Sequence, residues 1–433
     1  MRRTKEGLSP FEDDKPKVAQ NSPFKASSVL VAKAKYISNP KEQHMNSAVG
    51  NSQLIQKMNR LKVLNYIRRN PDTARPMIAR ETGLALSSIT NITSYLLGIG
   101  LLTESGMEKA DRVGRKGTLL RFCKNAYSLV CISFDPGHIT IAYTNLEGNI
   151  EEKININSDN IQPRDAAELL IEKLLSLISR KGRGKILGIG IAISGLVLDG
   201  SRFVASTSLK WKEFDLKAIL EKETGLPVFI ENASLLKAVW YFCCDRQIYG
   251  SNMVLVDMMN GIGSCQYYNG EINRAMLGEI GHTTVENNGE PCFCGNRGCL
   301  EAMCSPQRIA KLYQGYTGNE NADFDYVIEQ FGKNEEAAKR AVEECAQYLG
   351  IGLANLVNIC KPSVAAINMG SFEHLPEIID IAEAEMRKRV YTALLEDFRI
   401  EKISVTYEQS VRGAAFSLCD RLFDISYPYN IVE

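Results

Sequence analysis

The sequence predicts an α/β body preceded by a small helical domain that ends in a β-hairpin. At 433 residues the chain is long enough for two or three domains. Apolar residues recur at helical spacing before Gly98, whereas strand-like and helix-like patterns alternate after Tyr127. We therefore place the first domain at residues 51–125 and the body at residues 126–433. Residues 1–50 are polar without sustained periodicity, and we expect a flexible extension there.

Three helices are predicted in the first domain from the spacing of its apolar residues. The first begins at Leu54 and ends near residues 68–72, a segment that contains Pro71. The second runs from about Arg75 to Gly83, because glycine commonly follows the last turn of a helix. The third separates its residues onto two faces, with Ile89, Ile92 and Leu96 on the apolar face and Ser87, Thr90, Asn91 and Ser94 on the polar face. A helix, a tight turn and a second helix with a small polar face indicate a helix-turn-helix.

A β-hairpin with a basic tip is predicted after Gly100, because the stretch to Phe122 reads as strand, polar tip and strand. Together with the helices it predicts a winged helix-turn-helix that binds an operator in double-stranded DNA. The polar helix face can reach base edges, and the basic tip can contact phosphates or enter the minor groove. The predicted DNA-binding residues are Ser87, Ser88, Thr90, Asn91, Arg112, Arg115 and Lys116.

The charge of the chain supports contact of its front with DNA. The formal net charge is zero, yet residues 51–125 contain 13 Lys and Arg against 5 Asp and Glu, and residues 1–50 contain 9 against 5. A basic front suits the phosphate backbone, although a solvated basic face without a partner would have the same composition. Base readout should be modest, because no Arg or Lys lies between Leu84 and Gly98. Pairing on a palindrome would supply affinity, so we expect a homodimer or homotetramer.

The body contains a weak internal repeat. Residues 129–150 and 253–272 each read as a strand, a turn with glycine and a second strand. Two similar units predict two lobes around a cleft. No apolar run approaches the roughly 18 residues of a membrane span, and the first residues lack the apolar segment of a secretion signal. We therefore expect a cytoplasmic protein.

A cluster of one imidazole and three thiols predicts a metal site in the body. The ligands would be His282, Cys292, Cys294 and Cys299. This donor set is typical of a closed, tetrahedral zinc site, and three nearby glycines allow the tight turns that bring the ligands together. The alternative is a chance cluster of buried cysteines. Because no coordination position stays open, we predict a zinc ion with a structural role.

These residues resemble the ROK family, which groups repressors, uncharacterised reading frames and sugar kinases, and in particular its xylose- and N-acetylglucosamine-type repressors. The resemblance spans residues 53–423 and is most specific from Gly278 to Glu301, which contains the four metal ligands. It implies a two-lobed actin-like ATPase fold, stapled by the zinc loop, with a hexose or amino sugar as effector in the cleft. The residues that it implies for sugar contacts are Asn232, Glu279, His282 and Glu301.

The chain departs from the kinases of this family at the residues of catalysis. Kinases place an aspartate directly after the matching Glu-Asn as the base for the sugar hydroxyl, whereas this chain has Ala233, whose methyl group cannot accept a proton. Pro136 and His138 interrupt the first phosphate hairpin, the second reads Met-Asn-Gly-Ile-Gly, and only Gly370 remains of a later glycine pair. Side chains at these positions obstruct the backbone amides that phosphates need. We therefore expect weak or absent ATP binding and no enzyme activity.

Three functions fit this sequence. The favoured one is a DNA-binding regulator, a repressor or an activator, whose sugar ligand changes the relative position of two winged helices. An active hexose or amino-sugar kinase with an accessory domain is the second, and it must explain Ala233. The third is a regulator whose kinase-like body binds a transport protein instead of a sugar.

Overall fold

The front of the chain folds into three helices and a small antiparallel sheet. The computed structural model describes residues 49–107, 117–198, 202–206, 208–244, 252–269, 271–426 and 432. The helices of the front are α1 (Val49–Arg69), α2 (Arg75–Thr82) and α3 (Leu86–Gly98). Its strands are β1 (Thr73–Ala74), β2 (Leu102–Met107) and β3 (Thr118–Phe122), which pair in the order β1-β3-β2.

The predicted apolar face of α3 lies in the core of this front region, whereas the apolar side chains near the start of α1, Leu54, Ile55 and Met58, are exposed. Ile78, Ile89 and Leu96 are fully buried between the three helices. Helix α2 ends at Gly83, whose φ of 71° lies in the left-handed region that glycine adopts without strain. The side chain of Arg75 joins α2 to α3 by donating to Thr93 Oγ1 at 2.8 Å. Strands β2 and β3 lie at the predicted positions, and the predicted basic tip between them, with Arg112, Arg115 and Lys116, lies outside the described residues.

The body contains two five-stranded sheets of identical topology. In each sheet three consecutive strands form an antiparallel meander, a fourth strand pairs in parallel with the first strand of the meander, and a fifth pairs in parallel with the fourth. The first sheet, in the order β10-β7-β4-β5-β6, comprises β4 (Ser128–Asp135), β5 (Gly137–Asn145), β6 (Ile150–Ser158), β7 (Ile186–Ile193) and β10 (Val228–Asn232). The second, in the order β13-β12-β11-β14-β15, comprises β11 (Met253–Asp257), β12 (Gly263–Tyr268), β13 (Glu271–Gly278), β14 (Val364–Asn368) and β15 (Arg399–Ile403). The predicted repeat therefore corresponds to the first hairpin of each sheet.

Helices cover the outer faces of both sheets, as α/β architecture requires of strands that are apolar on both sides. The first lobe contains α4 (Pro163–Lys181), α5 (Leu216–Thr224) and a ribbon of β8 (Leu196–Leu198) and β9 (Arg202–Ala205). The second contains α7 (Leu300–Met303), α8 (Pro306–Thr317), α9 (Phe324–Gly332), α10 (Glu336–Cys360) and α11 (Glu377–Arg387). Each lobe has its own apolar core.

Two further helices, α6 (Ala233–Cys244) and α12 (Tyr407–Leu422), form the inner layer of the body. Helix α6 contacts strands of both sheets, and α12 packs on α6 and on the first sheet. The two helices approach so closely that a Cβ atom on Gly413 would overlap the carbonyl oxygen of Leu236. A single apolar core extends from the front helices through α12 to the inner faces of both sheets.

The front and the body are joined in one unit. Residues 51–433 form one compact unit, so the predicted domain boundary at residue 125 stays a prediction. Among the described helices, none is long and apolar enough to cross a membrane.

Candidate functional site

A cleft between the two sheets is lined by all four side chains that were predicted from the sequence to contact a sugar. It encloses about 780 Å³, including space open to solvent, and Asn232, Glu279, His282 and Glu301 all line it. Asn232 ends β10 in the first lobe, and Glu279 directly follows β13 in the second. His282 ends a single 3₁₀ turn, and Glu301 lies in the first turn of α7. The cleft therefore places one amide, one imidazole and two carboxyl groups around a common space.

Asn232 is fixed by two hydrogen bonds at the start of α6. Its side-chain nitrogen donates to the Gly195 carbonyl oxygen at 2.8 Å, and its side-chain oxygen accepts from the Leu235 backbone N–H at 3.0 Å. One N–H of the amide stays available for a ligand. Ala233 follows as the first residue of α6 and is only 2% exposed. Its buried methyl group therefore offers no proton acceptor to the cleft.

The two carboxyl groups of the cleft differ in their surroundings. Glu301 accepts a hydrogen bond from the backbone N–H of Ile262 at 2.9 Å, and the carbonyl of Ile262 accepts from Gly281 N at 2.8 Å. The loop at Ile262 is therefore held on both sides by the segment that carries the predicted metal ligands. The side-chain carboxylate of Glu279 accepts no hydrogen bond from the described part of the chain, although its backbone carbonyl accepts from His282 N at 2.9 Å. Partial removal from water raises the pKa of the Glu279 carboxyl, the charge of His282 opposes this rise, and the charge of Glu301 adds to it.

Four side chains next to the cleft could hold a metal ion. The donor atoms of His282, Cys292, Cys294 and Cys299 all lie within 4.8 Å of one another. Cys292 Sγ lies 3.6 Å from His282 Nδ1, and Cys294 Sγ lies 3.6 Å from Cys299 Sγ. A tetrahedron with zinc-like bond lengths has edges of about 3.5 to 3.8 Å, which these distances match. Burial raises the pKa of the Cys299 thiol to about 12, so a cation is needed to hold it as a thiolate near neutral pH.

Tight turns bring these ligands together without help from distant residues. The N–H of Gly295 donates to the Cys292 carbonyl at 3.0 Å, which closes the turn between the second and third ligands. Gly298 has a φ of 66°, and a Cβ atom there would overlap the Glu286 carbonyl oxygen. Only glycine fits this approach, and it places Cys299 at the beginning of α7. The local sequence therefore encodes the cluster.

A buried ion pair lies at the floor of the cleft and was not predicted from the sequence. Lys237 Nζ lies 2.8 Å from Asp257 Oδ2, and the two side chains are 1% and 4% exposed. Asp257 also accepts hydrogen bonds from Ser234 Oγ at 2.6 Å and Asn368 Nδ2 at 2.7 Å. Burial opposes charge on Lys237, but the attraction of Asp257 and Asp135 outweighs it and raises the pKa of the ammonium. Burial likewise opposes charge on Asp257, and Lys237 outweighs it and lowers the pKa of the carboxyl.

This ion pair joins the two lobes, because Lys237 lies on the helix that follows β10 and Asp257 ends β11. The sequence contained a signal for it. Helix α6 reads Ala-Ser-Leu-Leu-Lys-Ala-Val-Trp-Tyr-Phe-Cys-Cys, and a lysine within such an apolar helix requires a buried partner.

The hairpin of β4 and β5 places a buried carboxylate beside the cleft. Asp135 is fully buried and accepts hydrogen bonds from Ser194 Oγ at 2.7 Å and Asn260 Nδ2 at 2.8 Å. Beside it the rings of His138 and Tyr407 stack with their centroids 4.9 Å apart. Asn260 belongs to the second lobe, so its bond to Asp135 is another link across the cleft.

The predicted DNA-reading residues lie on the outer side of α3. Ser87, Thr90 and Asn91 are exposed and Ser88 is half-buried. The hydroxyl of Thr90 donates to the Leu86 carbonyl of its own helix at 2.9 Å. The exposed face therefore presents small polar groups.

Known proteins similar to this chain include repressors and kinases. Residues 129–420 match the ROK family. The xylose repressor of Bacillus spizizenii is 26% identical over 387 residues, which cover 87% of this chain and 99% of that protein. The xylose repressor of Caldicellulosiruptor bescii is 29% identical, covering 77% of this chain and 90% of that protein. A glucokinase of Halalkalibacterium halodurans is 29% identical, covering 55% of this chain and 79% of the kinase.

A solved structure of a ROK family transcriptional regulator, described as a homologue of the E. coli MLC protein, has the same fold. Its TM-score is 0.72 at 21% identity, and the match covers 84% of this chain and 97% of that one. The family match alone spans more than half of the residues, from the first strand of the first sheet to the last helix. The chain belongs to the ROK family.

Proposed function

We propose that this protein is a sugar-responsive transcriptional regulator that binds DNA and represses genes of carbohydrate uptake and catabolism. The extent of the alignments carries this proposal. Residues 126–433 are 308 of the 433 residues, so a match to 87% of the chain must extend into the front region. The glucokinase match covers only 55% of the chain, which fits within the body. The front is thus shared with proteins named repressors.

The three front helices and the sheet β1-β3-β2 support a winged helix-turn-helix. In this proposal α3 enters the major groove with Ser87, Ser88, Thr90 and Asn91, while the basic tip, with Arg112, Arg115 and Lys116, contacts the backbone or the minor groove. Because the DNA-contacting side chains of α3 are small and polar, one winged helix-turn-helix should bind DNA with modest affinity. Two of them, from a homodimer or homotetramer, would therefore bind one palindromic operator.

We assign the cleft to a hexose or amino sugar and the adjacent cluster to a structural zinc ion. Because His282 turns Nδ1 towards Cys292, its Nε2 is available to the cleft, where Asn232, Glu279 and Glu301 also lie. Fixed hydrogen-bonding groups of this kind suit the hydroxyls of a sugar. With four protein ligands the zinc would have no open position, and its role would be to fix the loop that carries Glu301.

Helix α12 offers a rigid connection between the cleft and the front helices. At its first turn Tyr407 donates to Asn260 Oδ1 at 3.5 Å, within the polar network of the cleft. At its last turns Asp420 pairs with Arg68 of α1 at 2.9 Å. A sugar that changes the arrangement of the lobes would therefore move the base of the DNA-binding region. Ligand control requires that the sugar bind one arrangement of the lobes more tightly than the other.

Loss of kinase activity is the expected consequence of Ala233. We expect purified protein to produce no sugar-dependent ADP in a coupled assay with ATP, Mg²⁺ and a panel of hexoses and amino sugars, because no carboxylate is placed to accept the hydroxyl proton. A bacterial hexokinase assayed alongside serves as the positive control. Robust turnover with any sugar would contradict this assignment.

Capture of genomic fragments by the purified full chain tests the proposed function. We expect recovery of a small set of palindromic sites near transport and catabolic genes for carbohydrates. A variant that replaces Asn91, which faces outward on α3, by alanine should recover these sites less efficiently while its stability is unchanged. Recovery of no sequence above background would refute the proposal.

A further inference from the structure

A second cavity lies beside the proposed sugar cleft and is continuous with it. It encloses about 1400 Å³, including space open to solvent. The two cavities share five lining residues, namely Ser208, Asn260, Gly261, Ile262 and Glu301. A ROK family glucokinase of this fold was solved with glucose and the nucleotide analogue AMPPNP, so a nucleotide is one candidate occupant of the second cavity. The question is therefore what this chain holds there.

The walls of the second cavity do not suit nucleotide phosphates. At the loop after β11 the side chain of Met259 lines the space, and the backbone N–H groups of Met258 and Ile262 already donate to the Asn368 carbonyl and the Glu301 carboxylate, both at 2.9 Å. The one side-chain amide of this loop, on Asn260, is bonded to the buried carboxylate of Asp135. Phosphates need converging free amides or a cation, and a carboxylate behind the loop opposes them.

The charges around the second cavity nearly cancel. Its lining contains three basic side chains, Lys210, Arg308 and Lys311, and two acidic ones, Glu290 and Glu301. Arg308 and Lys311 both pair with Glu290, at 2.7 and 2.8 Å. With Asp135 directly behind Asn260, the local charge is balanced, which favours an uncharged ligand.

The chemistry of the walls matches one face of a sugar ring. Pro136, Met259, Pro291, Pro306 and Phe372 supply apolar surface, and polar groups such as those of Ser305 and Gln307 lie among them. Pyranose rings combine C–H faces with a rim of hydroxyls and so suit apolar walls interrupted by a few polar groups. We propose that this cavity binds the second ring of a disaccharide whose first ring lies in the cleft. The proposal rests on the proposed sugar binding and narrows the effector to molecules of two rings or more.

Calorimetric titration of the full chain tests the proposal. The probes are glucose and xylose, their disaccharides of several linkages (cellobiose, maltose, gentiobiose and xylobiose), and ADP with Mg²⁺. We expect at least one disaccharide to bind 10-fold or more tightly than its monosaccharide, and ADP not to bind. Met259→Trp, which fills only the second cavity, should weaken that disaccharide at least 10-fold and leave the monosaccharide within about 2-fold.

A second variant guards against misfolding of the first. Gln307 is exposed at the start of α8, so Gln307→Trp should fold normally and have the same selective effect. Monosaccharides that bind as tightly as every disaccharide, tryptophan variants that weaken both ligands equally, or binding of ADP would each overturn the inference while the proposed function stands. Failure of all sugars to bind would overturn both.

Discussion

Replacement of Lys237 by methionine is expected to lower the stability of the protein by about 3 to 5 kcal/mol, because it leaves the carboxylate of Asp257 buried without its counter-ion. For a body of this size the loss corresponds to a fall in melting temperature on the order of 10 °C. The effect should shrink in acid. The Asp257 pKa is lowered by Lys237, so the pair stabilises the fold above the unfolded pKa of about 4, and its contribution is lost as the pH falls through the lower folded value.

Two further variants separate the ion pair from side effects of the substitution. Lys212→Met changes an exposed lysine and should alter stability by less than about 0.5 kcal/mol. The double variant Lys237→Met, Asp257→Asn removes both charges and should regain a large part of the loss, as a double-mutant cycle followed by thermal and urea unfolding would measure. If Lys237→Met is as stable as the wild type at pH 7, the described pair does not stabilise the native lobes.

Replacement of Cys299 by alanine is expected to reduce bound zinc from one ion per chain to nearly none. Cys299 is fully buried and begins the helix that carries Glu301, so removal of its thiolate breaks the four-ligand set two residues before Glu301. Sugar binding should weaken by at least 10-fold as well, because Glu301 and His282 lose their fixed positions. Elemental analysis of zinc and calorimetric titration with sugar provide the two readouts.

Cys304 offers a matched control in the same segment. Its side chain is 1% exposed, but it lies outside the four-residue cluster. Because Cys304 also lines the second cavity, the readouts for Cys304→Ala are zinc content and affinity for a monosaccharide, and both should stay at the wild-type level. Retention of a full equivalent of zinc by the Cys299→Ala variant, or its absence from the wild type purified without chelators, would contradict the assignment.

Elements whose signal is local were predictable from the sequence. The periodicity around Ile89 and the glycine at position 83 defined α2 and α3, because burial and capping act over a few residues. The internal repeat indicated two lobes, and the structure contains two sheets of one topology. The return of α12 to the first lobe was not predictable, since no pattern within residues 407–422 specifies which sheet the helix covers.

In the candidate site too, residues that are close in sequence were predicted together, whereas contacts between the lobes were not. The ligands from His282 to Cys299 lie within one short segment whose glycines determine its turns, so their spacing alone brought them together in the prediction. Lys237 and Asp257 are 20 residues apart in sequence and belong to different lobes. Their contact depends on how the lobes meet, which a single sequence does not encode in any local pattern. Asn260 and Tyr407 were missed for the same reason.

The central claim is that a sugar in the cleft changes the affinity of the front helices for DNA. Its most direct test is the titration of a captured operator fragment with the full chain, by fluorescence anisotropy, in the absence and presence of a saturating sugar. We expect at least a 10-fold change in the dissociation constant, and an equal change in sugar affinity when the operator is bound. Identical DNA affinity with and without every sugar that binds the protein would contradict it.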